Sequence, residues 1–283
     1  METGRKRLEV APYSMERVLG SIVRNFRLIG RLDIKAPNLV KGIQLEGLRK
    51  LGDPNSFARK YYNQGIDELF YQDIVASLYE RNSLIEIIEQ TTSDVFVPIT
   101  VGGGIRTIED VTKILGAGAD KVSINTAAIK SPKIISDVAR RFGSQCMVLS
   151  IEAKKHPNHW EAYYDNGREH SNLDAIEWAR EGQERGAGEI ILTSVDREGT
   201  AKGFEIDLIS SITNVVKIPV IASGGMGKLE DISPVVEEGK ADAIAMAYVL
   251  HYEKYSVSDV RQYCIDQNIP VRRVPDSIAR GII

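Results

Sequence analysis

Cysteine is nearly missing from this chain: two residues in 283, Cys146 and Cys264, far apart and without a CxxC or CxxH neighbour. That excludes a disulfide framework and a structural zinc knuckle, and it favours a reducing, cytoplasmic setting. Long apolar runs are missing as well, and none approaches the roughly 18 residues of a membrane span. Neither sign of charge dominates. A formal net charge of -3 is not the basic stripe of a nucleic-acid binder. Histidine is scarce: His156, His159, His170 and His251 are the four in the chain. None has an HExxH-like partner and none is expected at a strand end, so the reading predicts no metal centre and no cofactor. The opening segment "METGRKRLEVAPYSMERVLGS" is basic but lacks an apolar stretch before a cleavage site, so it does not read as a secretory signal.

What remains is a composition with 43% hydrophobic and 27% charged residues, enough apolar material for one large core. Within it the chain writes one sentence twice. "TVGGGIRTIEDV" from Thr100 returns as "ASGGMGKLEDI" from Ala222, with Gly104 and Gly225 standing 121 residues apart. "GIDELFYQD" from Gly65 returns as "GAGEIILTS" from Gly186, which sets Glu68 against Glu189 at the same 121. Ala119-Asp120 matches Ala241-Asp242 at 122, and "RLDIK" matches "SIEAK", setting Asp33 against Glu152 at 119. A spacing kept by separate features is the mark of an internal duplication.

Each half alternates short, β-branched apolar runs with amphipathic helical patterns, as buried parallel strands with crossover helices do. "FRLIGRLDI", "ELFYQDI", "VPITVGG" and "KVSIN" supply four strands; "MVLSIEA", "EIILTSV", "IPVIASGG" and "DAIAMA" supply four more. Eight such units predict a (β/α)8 barrel of two half-barrel repeats over residues 25–273. Residues 1–24 then form an N-terminal extension, read as a helix over one end of the core, and 274–283 a C-terminal tail.

Reactive groups of this fold gather where strands end. Asp33 and Glu152 close strands one and five, which face each other across an eight-strand ring. Opposed carboxyls suit general acid-base chemistry, one donating a proton while the other accepts. They could instead cap helices or pair with the neighbouring Lys35 and Lys154, and position alone leaves both readings open. The glycine turns after strands three and seven bring backbone N–H groups and helix N-termini toward an anion, which predicts two phosphate sites related by the repeat. Asp73, Asn125, Thr126, Thr193, Glu198, Ser223 and Ala247 stand at other strand ends or just beyond them. At the opposite face, Arg27, Glu68, Lys121 and Glu189 begin strands and could close a salt-bridged ring, either as structural stitching or as a gate below a channel. His156, in "KKHPNHWEAYYDNGREH", belongs to a polar excursion read as a surface hairpin.

The string "LDIK", "VKG", "GIDEL", "TVGGGIR", "GADKVSINTAA", "GAGEIILTSVDREGT" and "ASGGMGK" resembles the cyclase-subunit family of imidazole glycerol phosphate synthase, from about Asn25 to Arg273. The resemblance implies an ammonia-dependent cyclase of histidine biosynthesis, with a glutaminase of the class I glutamine amidotransferases docked on the bottom face. Its substrate would be a bis-phosphorylated ribulosyl intermediate. Asp33 and Glu152 would be catalytic, Lys41 and Asp73 would bind substrate, and Gly104, Asn125 and Thr126 would surround one phosphate. Thr193, Gly199, Ser223 and Gly225 would surround the substrate and the other phosphate. The four basal charges would form the ammonia gate.

Departures lie at the mouth. The family's second carboxylate is usually an aspartate, where this chain has Glu152, and one more methylene moves the carboxylate by about 1.5 Å. Glu198 replaces another aspartate, and Tyr248 stands where a small serine is usual. These changes suggest an alternative: a paralogue that delivers ammonia to another sugar-derived acceptor, forming an amidine in surface-glycan biosynthesis. A non-catalytic barrel is the third reading, which retention of Asp33, Lys41 and the basal ring opposes.

Overall fold

Eight parallel strands close on themselves in this computed structural model, which describes residues 25–76 and 84–274. The ring runs β1 (Arg27–Lys35), β4 (Glu68–Asp73), β5 (Ile99–Gly102), β6 (Lys121–Ile124), β7 (Met147–Lys155), β10 (Glu189–Ser194), β11 (Val220–Ser223), β12 (Ala243–Met246). Closure comes from Arg27 to Gly30 pairing with Ala243 to Met246. The expected N-terminal helix lies outside the described residues, as does the expected tail beyond its first residue.

Strand alternation sorts the apolar residues into two bodies, because successive side chains point to opposite faces. Ile29, Phe70, Val148, Ile191, Ile221, Ala243 and Ala245 pack inside the ring. Their strand neighbours, Leu28, Leu69, Leu149 and Ile190 among them, join the larger core beneath the helices.

The duplication is visible in individual hydrogen bonds. Asp120 accepts from the Ile99 N–H at 2.8 Å, and its counterpart Asp242 accepts from the Val220 N–H at 3.0 Å. Asp110 accepts from the N–H groups of Arg106 and Thr107, and Asp231 from those of Gly227 and Lys228. The first pair of bonds pins a strand start; the second caps the chain after each glycine turn, satisfying donors a helix start leaves over.

Each half also carries an antiparallel excursion from its first strand. β2 (Asn38–Ile43) and β3 (Glu46–Gly52) extend β1, while β8 (Trp160–Tyr164) and β9 (Glu169–Asp174) extend β7. The excursions meet over the mouth. The Gln44 N–H donates to the Glu198 carbonyl at 2.8 Å, and Leu45 lies against Gly167. The expected first loop is therefore a paired hairpin, with Lys41 inside the molecule. Cys146 and Cys264 are buried and unpaired, and among the described residues no helix is long and apolar enough to cross a membrane.

Candidate active site

Asp33 and Glu152 sit at the upper ends of β1 and β7, four places apart in the ring of eight, both buried. Neither pairs with the adjacent lysine, so that sequence alternative is corrected. Asp33 accepts from Arg31 Nε at 2.8 Å and pairs with Lys41 Nζ at 3.4 Å. Lys41 also pairs closely with Glu198. Glu152 accepts instead from Asn125 Nδ2 at 3.0 Å, and the Lys154 ammonium lies over the Tyr163 ring, 4.4 Å from its centroid.

These surroundings push two like groups apart. Burial alone would raise Asp33, but the charges of Arg31 and Lys41 overcome it and hold the carboxyl below the ordinary range. For Glu152 burial prevails, raising it to about 7 against the opposing pull of Arg31, the Gly167 N–H and the Asn125 amide. At neutral pH one carboxyl is an anion, while the other is poised between acid and base.

Arg31 is the residue that sequence reading passed over. It points into the ring on the same face as Arg27, Ile29 and Asp33, and its Nη1 reaches Thr193 Oγ1 at 3.2 Å and Ser223 Oγ at 3.0 Å. Thr193 and Ser223 thus serve the arginine network. The missed signal was parity: a basic residue two positions before Asp33 must share its face.

Beside Glu152 opens a cavity of about 380 Å³, within the range of ligand sites. Asp73, Gly103, Gly104, Asn125 and Thr126 line it with Glu152. Gly103 needs to be glycine twice over: φ is 92°, and a Cβ would stand 2.1 Å from the Asp73 carbonyl oxygen. Ser123 Oγ and Asn125 Oδ1, buried around this cavity, have no partner among the described residues. A buried polar atom without a partner is costly unless a ligand or water completes it. The second turn, predicted as an equal, differs. Glu198, Gly199, Gly225, Ala247 and Tyr248 enclose only about 20 Å³ there.

At the bottom of the ring the four predicted charges do close. Arg27 bonds Glu68 at 2.6 Å and pairs closely with Glu189, while Lys121 bonds Glu68 at 3.1 Å and Glu189 at 2.9 Å. Each acid thus lies between two bases.

A model of the histidine biosynthesis proteins matches residues 27–256. The chain belongs to that family. A curated relative from Legionella pneumophila, the imidazole glycerol phosphate synthase subunit HisF, is 62% identical over 210 residues, which cover 74% of this chain and 99% of the relative. Within the family frame, Asp33, Glu152 and the lining of the larger cavity converge at one mouth. Lys41 and Glu198 join them as an internal ion pair, and Arg27, Glu68, Lys121 and Glu189 stand apart at the foot.

His156, His159 and His170 fall outside the mouth, on the β7–β9 excursion expected as a surface hairpin. Strand pairing nevertheless brings them together around Glu161. Sequence spacing hid this cluster, because His170 approaches the others only once β8 pairs with β9.

Proposed function

We propose that this chain is the cyclase subunit of an imidazole glycerol phosphate synthase. It condenses ammonia with a bis-phosphorylated ribulosyl aminoimidazole intermediate and releases imidazole glycerol phosphate and aminoimidazole carboxamide ribotide. The observation that carries this reading is the pair Asp33 and Glu152, facing across the mouth with protonation driven in opposite directions. Condensing ammonia with a carbonyl loses water, so two protons must leave the nitrogen and two must reach the departing oxygen. Closing the imidazole then breaks the C–N bond to the carboxamide ribotide, whose leaving nitrogen takes up a proton as the new ring gives one up. Glu152, protonated over much of the range up to pH 7, delivers a proton to the departing oxygen; Asp33, anionic, accepts one from the nitrogen.

Lys41 offsets the charge of Asp33 and Glu198 and closes the hairpin over the mouth. One phosphate binds where the Gly104 turn, Asn125 and Thr126 border the larger cavity, and the other near Gly225 and Ala247. A glutaminase docks at the foot of the barrel and releases ammonia through the ring of Arg27, Glu68, Lys121 and Glu189 into the apolar layer of Ile29 and Phe70. The setting is the cytoplasm.

One observation favours a second reading. Tyr248 and Glu198 border the second turn where only about 20 Å³ is open, little room for a second phosphate, which favours a different sugar-derived acceptor. The deciding experiment supplies the purified chain with the ribulosyl intermediate and an ammonium salt in place of any glutaminase. Loss of substrate absorbance with release of the carboxamide ribotide is the expected result. A folded protein that binds the intermediate without turning it over would overturn the cyclase reading in favour of the second.

A further inference from the structure

The β7–β9 excursion carries a set of donors that the chemistry at the mouth does not use. The turn His156-Pro157-Asn158-His159 is closed by a 2.9 Å bond from the His156 N–H to the His159 carbonyl. That closure stacks the two imidazoles, with centroids 5.0 Å apart and planes 15° from parallel. Glu161 follows two positions later on β8, so it shares a face with His159. His156 Nε2 lies 3.1 Å from Glu161 Oε2, and one ligand atom from each of His156, His159 and Glu161 falls within 4.8 Å of the others. From β9, His170 Nδ1 reaches the same Glu161 oxygen at 3.1 Å.

We propose that His156, His159, His170 and Glu161 form a zinc(II) site that pins β9 to β8 and to the turn that precedes β8. Donors on a tetrahedral zinc stand about 3.3–3.5 Å apart, given metal–ligand bonds of roughly 2.0–2.2 Å. Two of the donor separations already lie near that value, and the wider ones close by rotation of the exposed His159 and His170 side chains. Three imidazoles and one carboxylate suit zinc and its neighbours in the first transition row and are a poor set for calcium or magnesium. The outer contacts fit as well. The Asn172 N–H donates to Glu161 Oε1 at 2.9 Å, and Tyr163 Oη lies 3.2 Å from His170 Nε2, the ring nitrogen left over when Nδ1 serves the metal, which orients both ligands. Glu161 is only 5% exposed, whereas a carboxylate serving merely as counter-ion to surface histidines has no need of burial.

The site also touches the mouth at one remove. Tyr163, two residues after Glu161, pairs with Glu152 across the β7–β8 ladder, and its carbonyl accepts from the Asn125 amide that also holds Glu152. The metal is thus structural, and its effect on Glu152 is one of positioning.

The test uses the full chain without a histidine tag, stripped by a chelator and titrated with cobalt(II), then with zinc(II). The expected result is one equivalent of cobalt with a visible spectrum of four-coordinate intensity, displaced by zinc and reduced at least tenfold in affinity in His156→Ala/His159→Ala. Glu161→Gln is titrated separately, with circular dichroism confirming that each variant is folded. Cobalt binding well below one equivalent, or binding unchanged in the folded double variant, overturns the site.

Discussion

Asp33 and Glu152 are the same chemical group in two settings, and the difference is testable residue by residue. Asp33→Asn keeps the shape and removes the base, so turnover should fall by at least a hundredfold while circular dichroism stays unchanged; unchanged turnover removes Asp33 from the chemistry. Glu152, raised to about 7, is more protonated in the folded than in the unfolded chain. Its contribution to stability is therefore full below the ordinary carboxylate range and is lost as pH rises toward 7, by on the order of 3 kcal/mol. Urea unfolding of the natural chain and of Glu152→Gln across pH 4–8 should show the natural chain losing stability relative to the variant over that window. Arg31 could be placed only by its parity with Asp33. Its bonds to Thr193 and Ser223 come from strands β10 and β11, 162 and 192 residues away, and no local pattern announces them.

Among the elements, the two glycine turns were legible because each needs a backbone that side chains resist. Gly103 and Gly225 have φ of 92° and 109°, and a Cβ at either would stand 2.1 or 2.2 Å from a carbonyl oxygen. Gly103→Ala and Gly225→Ala should each cost more than about 2 kcal/mol, since both backbone strain and a backbone clash oppose them. Gly47→Ala, at φ 63° with nothing within 4 Å, should cost about 1 kcal/mol; urea midpoints compare the three directly. What the repeated turns did not disclose is their inequality. The space beside each is set by what leans over it: Glu198 and Tyr248 at the second, and Asn125 with unpartnered polar atoms nearby at the first. The polar pattern of the β8–β9 excursion predicts a hairpin, but its histidine cluster depends on the strand register.

On the scale of the whole molecule, the ring at the foot is both an ion-pair network and the proposed ammonia gate. Its acids are buried and its bases only partly exposed, so the net stabilisation is modest, while an unpaired acid or base left behind is costly. Glu68→Gln should lower stability by about 1–2 kcal/mol and leave ammonium-dependent turnover intact, while uncoupling glutamine hydrolysis from product formation in the complex with a glutaminase. Equal losses with ammonium and with glutamine would reduce the ring to stitching. The sequence by itself determined the eight strands, their duplication and the residues at both ends of the ring, because burial on both faces of a parallel sheet and tight glycine turns leave local, periodic marks. Only the tertiary structure decided which charges neutralise which, which glycine turn opens onto a cavity, and where three histidines meet. Those outcomes depend on distances between chain segments remote in sequence, and strand closure and the two excursions folding over the mouth set those distances.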